Sequence, residues 1–196
     1  MQPFLTLYTA TYKRPQQLAR CLASVASQTL VNEIEHIVIP DHVGLGIGGM
    51  YQRVKDYVHA VHGQYVHFLA DDDVLADPRV VEVVKQAAEQ NNYPPMLLVR
   101  VIKGQMHLPI GDQNGQIWPP VCGHIDLGCF ITRADVWKAH AHKYGNRYEG
   151  DFDFANAVAE SGHGAVFVDV LFLVGGVNHG APEPIEVGPN QWVLQA

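Results

Sequence analysis

The chain of 196 residues carries no apolar run of membrane-spanning length and only three cysteines. A spanning helix needs about 20 consecutive apolar residues, and the first residues here read as a strand rather than a signal peptide. Cys21, Cys122 and Cys129 show neither a paired framework nor metal-ligand spacing, which fits a reducing cytosol. Basic residues are also scarce, 13 against 20 acidic, for a net charge of −7. That balance argues against a general nucleic-acid-binding surface. Charged residues of both signs reach only 17%, while hydrophobic ones make up 47%, the proportions of a globular core and not of a disordered chain. Repeats and interdomain linkers are missing as well. What remains is a soluble, cytoplasmic protein of one domain over residues 1–196, with an irregular tail from about residue 175.

Its elements alternate. Phe4 to Thr9 is an apolar run of strand formers, and Pro15 then sits where a first helical turn accepts it, ahead of Leu18, Cys21, Leu22 and Val25. Glu35 to Pro40 reads as a second strand and Gln64 to Ala70 as a third, with a helix between them carrying Met50, Val54, Tyr57, Val58 and Val61. Strand, helix, strand in this order predicts parallel crossover units. A helix from Asp77-Pro78, a fourth strand Met96 to Ile102, helices near 134–142 and after Tyr148, and a last strand Ala165 to Val174 complete the pattern. Between Lys103 and Pro120, the turn signal Asp112-Gln113-Asn114-Gly115 suggests a hairpin or flap.

The third strand stops at three successive carboxylates, Asp71, Asp72 and Asp73. Like charges this close repel and raise one another's pKa, a cost that a divalent cation relieves, and oxygen-rich sites suit Mg²⁺ or Mn²⁺. A solvated acidic turn capping the next helix is the other reading. In open α/β sheets, the carboxyl ends of the strands are where ligands bind. Gly44-Leu45-Gly46-Ile47-Gly48-Gly49 superficially matches a dinucleotide fingerprint, but it follows the second strand and lacks the acidic residue about 20 positions on, so a loop with a helix start is the better reading.

Taken in order, Thr11-Tyr12-x-Arg14-Pro15, the strand-ending Asp41, the glycine-rich helix start, Phe-Leu-Ala-Asp-Asp-Asp-Val-Leu and Glu149-Gly150-Asp151-Phe152-Asp153-Phe154 resemble the family 2 glycosyltransferases of the GT-A fold. The resemblance runs from about Phe4 to Leu173. It implies a Rossmann-like α/β domain with a mostly parallel central sheet flanked by helices. It implies a hexosyl transfer from a UDP- or GDP-linked sugar to a hydroxyl acceptor, with inversion and with Mn²⁺ or Mg²⁺ as cofactor. By position, Thr9, Thr11, Tyr12, Arg14, Asp41, Asp71 and Asp72 would line the nucleotide-sugar pocket, while Asp72, Asp73 and the late His179 would hold the metal. Asp151 would be the base, with Glu149 or Asp153 as alternatives, and His124, Asp126 and Asp153 would face the acceptor. An ionised Asp accepts a proton readily at neutral pH, although these acids could merely favour a helix N-terminus.

The chain departs from the pattern at Lys13, where the family usually has Asn, at Ala70, where it has a further acid, and at Gly150, which splits the usual Glu-Asp pair. The departures at Ala70 and Gly150 support a second reading, a nucleotide-sugar-binding module without transferase activity; a third, a sugar nucleotidyltransferase, has against it that no Gly-rich, Arg-containing loop follows the first strand. The short tail suggests no lipid-embedded acceptor, and apolar surface left beside it could pair two copies into a homodimer.

Overall fold

The computed structural model describes residues 2–175. Eight strands form one sheet in the order β2-β1-β3-β7-β5-β8-β4, with β6 added to β5. They are β1 (Leu5–Thr11), β2 (Ile34–Pro40), β3 (Tyr65–Phe68), β4 (Val74–Leu75), β5 (Met96–Lys103), β6 (Met106–Leu108), β7 (Phe130–Arg133) and β8 (Ala165–Gly175). β1 pairs in parallel with both β2 and β3. β7 is antiparallel to β3 and to β5, and β8 is parallel to β5, so β1, β2, β3, β5 and β8 point one way. This is the mixed α/β, mostly parallel architecture anticipated above. A strand flanked on both sides in such a sheet is buried on both faces, and the first five residues of β1 are buried without alternation.

Five α-helices are present among the described residues: α1 (Pro15–Ala26), α2 (Gly46–Asp56), α3 (Val80–Gln90), α4 (Ala134–His140) and α5 (Gly150–Glu160). Pro15 opens α1, whose Leu18, Cys21 and Val25 are buried, the three- and four-residue spacing of one helical face. α3 does the same with Val80, Val81, Val84 and Ala88, and α5 with Phe154, Ala155 and Val158.

The structure adds the short strand β4 and ends α2 at Asp56 rather than near Val61, and two further features differ from the sequence reading. The stretch before α4 contains a strand, β7, that runs against its neighbours between β3 and β5. The hairpin lies earlier than expected, where β5 turns into β6 through Gly104, with Lys103 opposite Met106 and a left-handed φ of 60° at Gly104 that glycine adopts freely. Asp112 does make a tight turn, accepting the N–H groups of Asn114 and Gln116, but no strand flanks it.

The link from β3 to β4 positions the acidic triplet. β3 lies inside the sheet while β4, six residues on, pairs with the end of β8 through Val74 and Val174. Leu69 to Asp73 therefore cross the carboxyl ends of the parallel strands. The ends of β1, β5 and β8 meet them there.

Candidate active site

Two groups of charged residues meet at this edge. In the first, Arg14, just before α1, places Nη1 3.1 Å from Asp71 Oδ1 and 3.8 Å from Asp72 Oδ2. Burial pushes the Asp71 carboxyl above its ordinary range, against the opposing pull of the Thr11 hydroxyl and Arg14. Thr11, Arg14, Asp71 and Asp72 thus come together as one cluster at the ends of β1 and β3.

The second group is built around a residue that the sequence reading did not single out. Lys103, the last residue of β5, places Nζ 3.0 Å from Asp73 Oδ2 and 2.9 Å from Asp126 Oδ1. Its side chain is only 10% exposed, and although burial disfavours the ammonium, the two carboxylates outweigh that and raise its pKa. Asp73 is 1% exposed; burial drives its carboxyl up and Lys103 opposes, leaving it at about 6. Gly175, at the end of β8, abuts this carboxylate so closely that a Cβ there would overlap it. The one available signal for Lys103 was a cation closing an apolar strand that runs parallel to β3.

Asp126 also accepts the Gly128 N–H at 2.8 Å, opening the short turn Leu127–Cys129. That turn faces Asp151, in the first turn of α5, whose carboxylate receives the Leu127 and Phe152 N–H groups. Burial raises Asp151 to about 6, Asp126 adds to the rise, and the backbone donors oppose it. The cause of the burial lies beside it: Tyr51 stacks on Tyr144 with centroids 5.3 Å apart, and Tyr144 stacks on Phe154 at 4.4 Å. Gly150 fits under this stack because it has no side chain; a Cβ there would come within 2.7 Å of the Tyr51 ring and would collide with the Gly145 carbonyl. An acid at position 150 is therefore sterically barred, which explains the split Glu149-Gly150-Asp151 motif.

The remaining candidates are placed elsewhere. Thr9 is fully buried and donates to the Leu69 carbonyl at 2.8 Å, also meeting His36 Nε2 at 2.8 Å, so it ties β1 to the chain beyond β3 and does not line a pocket. Asp41 spends both oxygens on its own loop, accepting from Val43 and Gly44 at 3.0 Å and from Leu45 at 2.5 Å. Slight burial works against these donors, which prevail and lower its pKa. Tyr12 packs on that loop, where Gly44, with φ 75°, leaves room for its ring.

Asp153 is held by Arg147 through both oxygens, and Glu149 lies 3.7 Å from the same guanidinium. Those contacts order the loop before α5. His124 leaves Nδ1 buried without a hydrogen-bond partner among the described residues, and its carbonyl accepts from Ile110. His179 lies outside the described residues.

Among the described residues no three ligating side chains converge on one point. An Mg²⁺ or Mn²⁺ ion bound beside a nucleotide needs fewer, since one or two carboxylates are completed by phosphate oxygens and water. The adjacent Asp71 and Asp72 carboxylates fit that oxygen-rich requirement, whereas the Asp73 oxygens are buried and face Lys103. No helix among the described residues is long and apolar enough to cross a membrane.

No protein-family model and no curated protein matches the sequence. Solved structures do match in shape. TarS 1–349 from S. aureus in complex with UDP-GlcNAc superposes with a TM-score of 0.65 at 14% identity, covering 90% of this chain and 59% of that one. Mannosyltransferase PcManGT from Pyrobaculum calidifontis, in complex with GDP-Man and Mn²⁺, gives 0.60 at 10% identity over 91% and 58%. A CMP:2-keto-3-deoxy-manno-octonic acid synthetase complexed with CTP gives 0.53 at 11% over 86% and 90%. The chain spans about three fifths of the length of the two transferase chains. At such identities the likeness speaks for architecture alone, and the architecture of this chain is the GT-A fold of the glycosyltransferases.

Proposed function

We propose that the protein is a metal-dependent glycosyltransferase that moves a hexosyl group from a UDP- or GDP-linked donor to a hydroxyl acceptor, with inversion at the anomeric carbon. One observation supports this most: a carboxylate cluster and a buried carboxylate at pKa about 6, Asp151, flank the same sheet edge where ligands bind in open α/β folds. A general base works best when its pKa lies near the operating pH, and Asp151 lies closer to it than an unperturbed Asp does. The acceptor hydroxyl oxygen attacks the anomeric carbon while its proton passes to Asp151. The bond from that carbon to the phosphate oxygen breaks, and its electron pair leaves on the nucleoside diphosphate.

In this reading, Thr11, Tyr12 and Arg14 border the nucleotide, and Asp41 shapes the loop facing its base. Asp72, with Asp71, would hold the divalent cation. Bound there, the cation would neutralise the charge that develops on the departing diphosphate. Asp126 and His124 would border the acceptor.

Thermal melting with a panel of nucleoside diphosphates and their sugars, with and without Mn²⁺, tests the reading, because a ligand that binds the native state raises the melting point. One nucleotide class should raise it, with Mn²⁺ and not in chelator. No shift with any nucleotide would remove the assignment. The synthetase likeness favours one competing activity, nucleotidyl transfer, and pyrophosphate release from a nucleoside triphosphate and a free sugar would establish that instead.

A further inference from the structure

We infer that Lys103 is a positioning residue, a fixed internal cation that joins the donor side of the site to the base. The inference rests on the transferase reading above and names a part of the machinery which that reading leaves out. Lys103 bridges Asp73 and Asp126 at 3.0 and 2.9 Å. Asp73 closes the acidic link after β3; Asp126 opens the turn Leu127–Cys129, whose first N–H faces the Asp151 carboxylate. Through Lys103, the segment carrying the diphosphate-side carboxylates and the turn that orients the base share one buried contact.

The surroundings leave Lys103 little freedom. Its backbone is fixed on two sides, pairing with Met106 of β6 and Gly175 of β8, and Gly175 also packs against Asp73. Removing Lys103 leaves the enclosed Asp73 carboxylate and the half-buried Asp126 carboxylate without their shared cation, which is costly for a buried charge. The same bridge keeps Asp73 turned toward protein, with both oxygens inaccessible. Reacting groups misplaced by about 1 Å can lose on the order of 10²-fold in rate, and removing Lys103 would free the Leu127 turn beside Asp151 while Arg14 still holds Asp71 and Asp72.

The test uses the full chain and three variants, Lys103→Met, Lys103→Arg and Asp126→Asn, with the double variant Lys103→Met/Asp126→Asn. Two quantities are read for each: affinity for UDP and GDP with Mn²⁺, and kcat and KM for hydrolysis of UDP-GlcNAc and GDP-mannose, with water standing in for the acceptor. Lys103→Met should lower kcat by about 100-fold with KM and nucleotide affinity near wild type. Lys103→Arg should restore part of kcat, and the double variant should be no slower than Lys103→Met alone, since both break one bridge.

Wild-type kcat in Lys103→Met would overturn the inference. So would a parallel loss of affinity and kcat that Lys103→Arg fails to restore, or losses from the two sites that multiply. If Lys103→Met does not fold, Asp126→Asn and Lys103→Arg decide: the inference is wrong if both keep wild-type kcat. A wild-type chain that binds neither nucleotide would sink the transferase reading itself, and the role of Lys103 in it, a result distinguishable from every variant outcome.

Discussion

Asp73 and Asp151 reach the same pKa, about 6, by different routes. At the end of β3, Asp73 is almost fully enclosed, and the Lys103 charge holds it down against a large burial effect. At the head of α5, Asp151 forms no ion pair among the described residues; an aromatic stack lies beside it and backbone N–H groups oppose the rise. A carboxylate with a fixed cationic partner serves structure, because taking a proton would abandon that partner. A dried carboxylate held only by dipoles can accept a proton and return it. Under the proposed transferase reading, the comparison would give anchoring to the first and proton transfer to the second.

The largest effect should come from removing the proton acceptor. Asp151→Asn is expected to lower turnover by about 10²–10⁴-fold, the usual contribution of a positioned base, measured as initial rates of donor hydrolysis. A wild-type rate in that variant would move the base to Glu149 and erase the distinction drawn above.

The same substitution should make the fold more stable. Folding raises the Asp151 pKa from 3.8 to about 6. A group raised in this way supplies stability that is present below about 3.8 and lost as pH rises through about 6. At pH 7 the ionised side chain therefore opposes folding, and Asp151→Asn should increase the unfolding free energy by about 1–3 kcal/mol. Urea titrations at pH 7 and pH 4 would show the gain at the first pH and little at the second.

Acid exposes a second pair of groups. Burial keeps His36 and His67 neutral, with pKa values lowered to about 4. Stability linked to them is present above the unfolded value near 6.5 and lost as pH falls through about 4. Proton uptake by Asp73 and Asp151 offsets that loss in the wild type. Asp151→Asn should then lose stability on acidification more steeply than wild type, and parallel pH profiles of the urea midpoint would count against burial as the source of both shifts.

Packing under the base gives a comparable effect. Gly150→Ala forces a methyl against Tyr51 and the Gly145 carbonyl, which should lower stability by about 1–3 kcal/mol and slow turnover as Asp151 shifts. An unchanged urea midpoint would show that the loop yields freely. The smallest effect is expected at Lys13, whose φ of 51° is left-handed and disfavoured by about 1–2 kcal/mol for most side chains. Lys13→Asn, which restores the residue usual in the resembled family, should raise stability by up to about 1 kcal/mol in the same titration, because Asn tolerates this region better.

Much of the carboxyl edge of the sheet was legible because its signals are local. Pro15 with Leu18, Cys21 and Val25 describes a helix within a dozen residues, and three adjacent aspartates after a buried strand need no long-range information to be noticed. Thr9 misled because it sits beside the loop in sequence, while the pleat turns its hydroxyl into the interior. Asp41 reads from the sequence as a nucleotide-pocket residue, and the three N–H groups gathered on it were not foreseeable without the loop's path. β7 was hidden because a short antiparallel strand between parallel ones has no periodicity long enough to separate it from a loop.

The sequence alone determined which segments bury apolar surface, the first and third parallel strands to within about two residues of their ends at Thr11 and Phe68, and that three carboxylates follow the third. Those are properties of neighbouring residues, written in spacing and hydropathy. Only the tertiary structure decided what each acid does. Burial and charge partners come from residues far along the chain: Lys103 from β5 for Asp73 and Asp126, and Tyr51 from α2, beside Tyr144 and Phe154, for Asp151. A carboxylate's chemistry depends on the dielectric and the charges around it, and folding alone assembles those.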